Sequence, residues 1–320
     1  MRALITGIAG FAGSHLADYL LARGGIDVHG IDRPAASTQN VEHILPRIAL
    51  HATDLGDYRR VRELLSSIRP DYVFHLAAQA STKRSWEDPR ETLVTNITIQ
   101  LSLLQAIVDV NLGPRVLIVG SADEYGLVGE EDLPIDESTP LRPLSPYAVS
   151  KIAQDYLGYQ YHLSHGLDVV RVRPFNHIGP RQRLGFVVPD FASRIALIEA
   201  GLEEPVLQVG NLAAHRDFTD VRDIARAYYL ALAKGVTGEV YNVGSSRCYA
   251  IREVLDRLLE MSRVSVKVEV DPDRMRPSDV PTRVCDPRHF QADTGWEPEL
   301  DLARSLRDTL DYWRDRVGTG

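Results

Sequence analysis

With 320 residues, 44% of them hydrophobic and 25% charged, the chain can bury a full core and carry one large domain plus a smaller one. Its net charge of -8 argues against a nucleic-acid-binding surface, while a local basic site could still hold one phosphorylated small molecule. The two cysteines, Cys248 and Cys285, lack metal-ligand spacing, no run approaches the roughly 20 apolar residues of a membrane helix, and the start at Met1-Arg2-Ala3-Leu4 has no secretory leader; we expect a cytoplasmic protein with no metal and no membrane partner.

In chain order, Ala3-Leu4-Ile5 reads as a buried strand, Phe11 to Ala22 as a helix and Val28 to Ile31 as a second strand. Tyr58 to Ile68 is helical by its apolar spacing, Tyr72 to His75 reads as a third strand, and a long helix is expected near Glu91 to Val110. Val116 to Val119 is a fourth strand, Pro146 to Leu163 a helix and Asp168 to Val172 a fifth strand. Strands alternating with helices predict an α/β fold with a parallel, doubly wound sheet. After about Pro174 the pattern changes. Helices such as Val221 to Ala233 and Ile251 to Met261 alternate with strand-like pieces at Val206 to Val209, Glu239 to Val243 and Val264 to Val268, which reads as a smaller C-terminal lobe.

Thr6-Gly7-Ile8-Ala9-Gly10-Phe11-Ala12-Gly13 joins the first strand to the first helix. Glycines there suit a tight turn, close approach of backbone to a pyrophosphate, and close helix–strand packing, and the helix start offers unpaired N–H groups to the anion. Asp32 ends the second strand, where a carboxylate accepts hydrogen bonds from ribose hydroxyls and repels a 2′-phosphate, favouring NAD(H); neighbouring Arg33 could take such a phosphate, so NADP(H) stays open. Asp54 could meet the adenine or cap the helix that begins at Tyr58. Residues 1–174 are accordingly expected to form a Rossmann-like dinucleotide-binding domain and residues 175–320 a substrate-binding lobe, interleaved through segments near 211–245 that return to the sheet.

Tyr147 and Lys151 lie four apart on a predicted helix and so share one face. The ammonium and an oxidised nicotinamide would both favour phenolate, lowering a pKa that is otherwise about 10. The tyrosine could then exchange a proton with a carbonyl or alcohol while the nicotinamide exchanges a hydride. Ser121 ends the fourth strand, on the crevice side of such sheets, where its hydroxyl can reach the same oxygen.

The order of these pieces resembles the extended short-chain dehydrogenase/reductase family, which acts largely on nucleotide sugars. Further family-like stretches are His75-Leu76-Ala77-Ala78, Asn96, Ser145-Pro146-Tyr147-Ala148-Val149-Ser150-Lys151, Pro174-Phe175-Asn176-His177-Ile178-Gly179-Pro180, Arg216-Asp217-Phe218 and Tyr241-Asn242-Val243-Gly244. The resemblance implies cofactor contacts at Leu55, Leu76, Ala77 and Ala78, a diphosphate contact at Arg216, a substrate contact at Asn176, a structural role for Asn96, and a homodimer through a four-helix bundle. Within the family, Leu184-Gly185-Phe186-Val187 and Arg274-Met275-Arg276-Pro277-Ser278-Asp279 are similar to the GDP-mannose branch, adding Val187, Arg276 and Asp279 to the substrate-binding set.

Two activities of that branch compete. Aligned on Tyr125-Gly126, its dehydratases carry Thr in place of Ser121, a glutamate base at position 123 and often an acid at 122. Here Ala122 cannot titrate and Asp123 is shorter than glutamate. Dehydration needs a base for the sugar C5 proton; reduction needs only a hydride and the Tyr147 proton. The implied activity is therefore NAD(P)H-dependent reduction of the C4 ketone of GDP-4-keto-6-deoxy-D-mannose to GDP-D-rhamnose, with GDP-mannose 4,6-dehydratase, or another nucleotide-sugar epimerase or dehydratase, as the alternative. A dinucleotide-sensing regulator is a third reading, against which the complete Ser121, Tyr147 and Lys151 set argues. His75 and His177 read as hydrogen-bonded structural histidines, Arg247 as a surface ion pair or a phosphate contact. Glu124 is expected to turn away by strand-end alternation. Asp123 is expected to orient substrate hydroxyls or cap local backbone.

Overall fold

The computed structural model describes residues 1–272 and 280–318. β1 (Arg2–Thr6) passes through the glycine turn into α1 (Phe11–Arg23) and returns as β2 (Asp27–Asp32). A 3-10 segment, Gln39–Arg47, leads to β3 (Ala49–Ala52), α2 (Tyr58–Ile68) and β4 (Tyr72–His75). Next come α3 (Thr82–Glu87), α4 (Pro89–Asp109), β5 (Arg115–Val119), a 3-10 turn at Ala122–Glu124, α5 (Pro146–His165) and β6 (Val169–Pro174). The remainder holds β7 (Asn176–Ile178), α6 (Val187–Glu199), β8 (Val206–Val209), β9 (His215–Asp220), α7 (Val221–Lys234) and β10 (Val240–Val243). It closes with β11 (Cys248–Ala250), α8 (Ile251–Glu260), β12 (Lys267–Val270), β13 (Thr282–Arg283), α9 (Arg288–Thr294) and α10 (Leu302–Gly318).

One parallel sheet runs β10-β6-β5-β4-β1-β2-β3. Its inner strands are continuous apolar runs, such as Val116-Leu117-Ile118, because both faces are covered. Leu16, Leu20, Ile224 and Tyr228 of α1 and α7 fill one core; Leu65, Leu103, Ile107 and Tyr161 of α2, α4 and α5 fill the other. The strand order reverses between β1 and β4, so the carboxyl ends there open a crevice. A third core, including Val188, Ile195, Phe218, Leu255 and Leu306, joins α6, α8 and α10 to the small strands. There β9 pairs antiparallel with β11 and parallel with β7 and β13, and β8 pairs parallel with β12.

Local chemistry explains the boundaries that matter. Asp88 caps α4 with Pro89 in its first turn, and Ser145 caps α5 with Pro146 after it. By length and composition α4 is apolar enough to cross a membrane, but its Thr92, Asn96, Ile99 and Leu103 face are buried in the fold. Three expectations need correcting. The short, four-residue β3 is a sheet strand, so Tyr72 to His75 is the fourth strand. The strand expected at Val264 starts at Lys267, because Ser262 Oγ accepts the Val264 N–H at 3.3 Å and donates to its carbonyl at 2.9 Å, holding a turn there. The C-terminal lobe also contains two long helices, α6 and α10, that its changed pattern concealed.

Candidate active site

The carboxyl ends of the sheet strands and the facing C-terminal elements enclose one cleft of about 2070 Å³. At its floor, Gly7 has φ +71°, and a Cβ there would stand 3.0 Å from Ala77 Cα. A Cβ on Gly13 would overlap the Gly7 carbonyl, so the turn can pack against the first helical turn only with glycine at 13. Gly10 begins α1 with no side-chain cap and no acidic residue in the first turn. The helix start, with Phe11 and Ala12 in the cleft wall, therefore presents its dipole end and unpaired N–H groups to an anion. Asp32 is locked against this turn: Oδ2 accepts the Ala9 N–H and Oδ1 the Arg33 N–H, both at 3.0 Å. Arg33 is exposed at the rim. Asp54 accepts the Gly56 N–H at 2.8 Å, while Asp57, not Asp54, caps α2. Leu55, Leu76, Ala77 and Ala78 complete the same wall. A dinucleotide fits this cradle: an uncapped helix start for pyrophosphate, and a fixed carboxylate for a ribose.

α5 carries Tyr147, Lys151 and Asp155 at four-residue steps on one face. Tyr147 is half-buried in the cleft wall, with the Ser121 hydroxyl hydrogen-bonded to it. Burial, and then the charge of Asp123, push its phenol above the usual tyrosine range, against the smaller effects of Ser121 and Arg183. The expected lowering by Lys151 does not hold in this structure. The Lys151 ammonium instead donates to Gln154 Oε1 at 2.8 Å, and burial dominates at Tyr147. Tyr147 thus stands protonated at neutral pH, as a proton donor. Burial pulls the Lys151 ammonium below the ordinary lysine value, and the charges of Glu124 and Asp155 oppose that pull.

A buried charged cluster supports this face. Glu124 accepts the Ser121 N–H at 2.7 Å and pairs with Arg173 at 3.1 Å; Asp155 takes Arg173 at 2.6 Å and Arg171 at 2.8 Å. Glu124 is turned away from the cleft by the 3-10 turn, whose capping box it closes with Ser121, rather than by strand alternation. Asn96 accepts the Gln79 N–H at 2.7 Å and donates to Ser150 Oγ at 2.9 Å, tying the loop after β4 to α5. His75 shares a hydrogen bond with Thr6 Oγ1 at 2.9 Å, and His177 stacks on Phe11 with centroids 5.7 Å apart.

Across the cleft stand Asn176, Val187 and Arg216, the last donating to the Val280 carbonyl at 2.8 Å. Asp123 lines it too, paired with Arg283 and accepting a long hydrogen bond from Thr82 Oγ1 at 3.4 Å. Arg276 and Asp279 lie outside the described residues, and Arg247 is exposed away from the cleft. Sequence reasoning missed Arg183 and Arg283. Arg183 follows the Asn176 to Pro180 stretch in Arg181-Gln182-Arg183, and that basic run was the available signal. Arg283 had none, because it reaches Asp123 across 160 residues of chain.

A model of the GDP-mannose 4,6 dehydratase family matches residues 4–309. The chain is 36% identical over 316 residues to the GDP-6-deoxy-D-mannose reductase of Pseudomonas aeruginosa, covering 99% of this chain and 98% of that protein. It is 32% identical over 340 residues to a GDP-mannose 4,6-dehydratase of Vibrio cholerae, covering 94% and 90%. Among solved structures, RMD from Pseudomonas aeruginosa complexed with NADPH is similar with a TM-score of 0.87 and 34% identity, covering 98% of this chain and 99% of that one. UDP-glucose 4-epimerase of Thermus thermophilus in complex with NAD is similar with a TM-score of 0.87 and 34% identity, again over 98% and 99%.

Proposed function

The chain belongs to the GDP-mannose 4,6 dehydratase family, within the extended short-chain dehydrogenase/reductase enzymes, and we propose that it reduces the C4 ketone of GDP-4-keto-6-deoxy-D-mannose to GDP-D-rhamnose. The observation that carries this reading is that Ser121, Tyr147 and Lys151 line one cleft together with the glycine turn of the dinucleotide cradle. Reduced nicotinamide dinucleotide, when bound, supplies the hydride. Tyr147 gives its proton to the ketone oxygen, and Ser121 hydrogen-bonds the same oxygen as its charge develops. Lys151 holds the nicotinamide ribose, and Gly7, Gly10, Phe11, Ala12 and Gly13 hold the pyrophosphate. Arg216 neutralises the sugar-nucleotide diphosphate, with Arg276 assigned to the same task, while Asn176, Val187, Asp123 and Asp279 orient sugar and base. The fixed Asp32 carboxylate supports NAD(H) ahead of NADP(H).

The protein works in the cytoplasm, in keeping with the unpaired thiols of Cys248 and Cys285. It forms a homodimer through α4 and α5, which pack together and leave apolar side chains exposed on both helices.

Product analysis tests the activity. The 4-keto-6-deoxy sugar nucleotide incubated with NADH, and separately with NADPH, should give GDP-D-rhamnose with loss of reduced-cofactor absorbance, faster with NADH. Tyr147→Phe should lower kcat by about 10²- to 10⁴-fold. Conversion of GDP-mannose without added reductant would instead identify a dehydratase, and full activity in Tyr147→Phe would refute the proton donor.

A further inference from the structure

We propose that Arg283 is a specificity-determining residue: by holding the Asp123 carboxylate, it stops that group from removing the proton on the carbon beside the substrate's ketone. The inference rests on the keto-sugar substrate assigned above and concerns a reaction the site must avoid. A ketone acidifies the C–H bonds on its flanking carbons. Enolisation then needs a base at that hydrogen and an acid at the oxygen. Tyr147 is such an acid. Asp123 lines the same cleft as Tyr147, with Ser121 between them in the wall. Left free, an Asp123 oxygen would take the α-proton; the C–H electron pair would form the C=C bond, the carbonyl π pair would move to oxygen, and that oxygen would take the Tyr147 proton. The enol cannot accept hydride at that carbon, and return of a proton to the α-carbon would scramble its configuration.

The geometry is that of a mask. One Asp123 oxygen is engaged by an Arg283 terminal nitrogen and the other faces the Thr82 hydroxyl. The Arg283 side chain is only 13% exposed and Asp123 26%, so bulk water does little to screen the pair. β13 sets Arg283 in register with Arg216 of β9, fixing its backbone from outside the catalytic sheet. The Arg283 Nε is buried without a hydrogen-bond partner among the described residues, which leaves Asp123 as the group that orients the guanidinium.

Deuterium exchange tests this in the full-length protein. The 4-keto-6-deoxy sugar nucleotide is incubated in D2O with oxidised cofactor and no reductant, and incorporation beside the ketone is read by mass spectrometry and NMR. Arg283→Gln should exchange about a hundredfold faster than wild type, the scale of a positioned general base. Arg283→Lys, which keeps the charge, should stay near wild type, and Asp123→Asn combined with Arg283→Gln should return to it. Should Arg283→Gln fail to fold, Arg283→Met removes the same guanidinium and carries the same comparison. Exchange in wild type as fast as in the uncharged variants, or fast exchange in the double variant, overturns the inference. Reduction by wild type with NADH or NADPH, run in parallel, reports on the proposed function separately, because exchange needs only the bound keto sugar.

Discussion

Around Tyr147 the protein sets charge mainly by burial, and two histidines show the consequence for stability. His75 is fully enclosed beside Lys151, and burial followed by that ammonium pushes its imidazole from 6.5 down to about 3. His15 in α1 is likewise pushed to about 4, mainly by burial, while its Nε2 donates to the Pro180 carbonyl at 2.9 Å. Each stays neutral in the fold but binds a proton near pH 6.5 once unfolded. Both groups therefore contribute stability that is fully present above about pH 6.5 and is lost as pH falls toward 4 and 3. Each should remove about 1.4 kcal/mol per pH unit inside its window. Urea unfolding between pH 7.5 and 4.5 should show this slope, and His75→Asn should flatten it; an unchanged slope in that variant would refute the assignment. At this scale the sequence was informative where partners are local. Tyr147 and Lys151 share a helix face by spacing alone, and Ser121 is a strand end. Direction of the Tyr147 shift was not legible, because it depends on the enclosure built around it. Nor was the Arg283–Asp123 pair, which exists only once β13 is laid beside β9.

At the scale of elements, the strand–turn–helix unit formed by β1, residues 7–10 and α1 is the clearest case of sequence dictating geometry. The glycines are required by contacts rather than by flexibility: at Gly13 a side chain has no room between the Gly7 carbonyl and Ile8. Gly13→Val should force α1 away from the turn, misplacing the N–H groups meant for pyrophosphate. Overpacking of this kind costs about 1–3 kcal/mol, or about 5- to 150-fold in Kd if it falls on binding. Fluorescence titration with NADH should show that weakening while GDP binding is retained; wild-type affinity for NADH would sink the role assigned to this turn. The same unit shows why some elements were read and others not. α2 and β4 were found to the residue because apolar periodicity and a downstream strand coincide. β3 escaped because Ala49-Leu50-His51-Ala52 has little strand character of its own and is recruited by pairing with β2. α6 and α10 escaped because they bury against each other and α8, so their faces are explained by a tertiary core rather than by caps or turns.

For the whole molecule, the unexplained surface is the outer face of α4 and α5. Val149, Tyr156 and Leu163 recur every seven residues along α5 and remain 45%, 53% and 66% exposed; Val94, which also borders the cleft, and Leu101 of α4, also seven apart, are 55% and 43% exposed. Seven-residue spacing places each set in one stripe, the seam along which helices pack at shallow angles. Two neighbouring stripes on one subunit would meet the same two on a second copy about a twofold axis, giving a four-helix bundle and an isologous interface. Catalysis is linked to this arrangement by position, since the Tyr147, Lys151 and Asp155 face of α5 looks inward while the apolar stripe looks outward. Sedimentation at micromolar concentration should therefore give a dimer for wild type, and Tyr156→Glu with Leu163→Glu should give a folded monomer, because four carboxylates per dimer would be buried in an apolar seam. Monomerisation should lower the unfolding temperature and raise KM or lower kcat only modestly, since no cleft residue lies in the stripe on α5. A wild-type protein that sediments as a monomer, or a double variant that stays dimeric, would move the interface elsewhere and leave the apolar stripes to another partner.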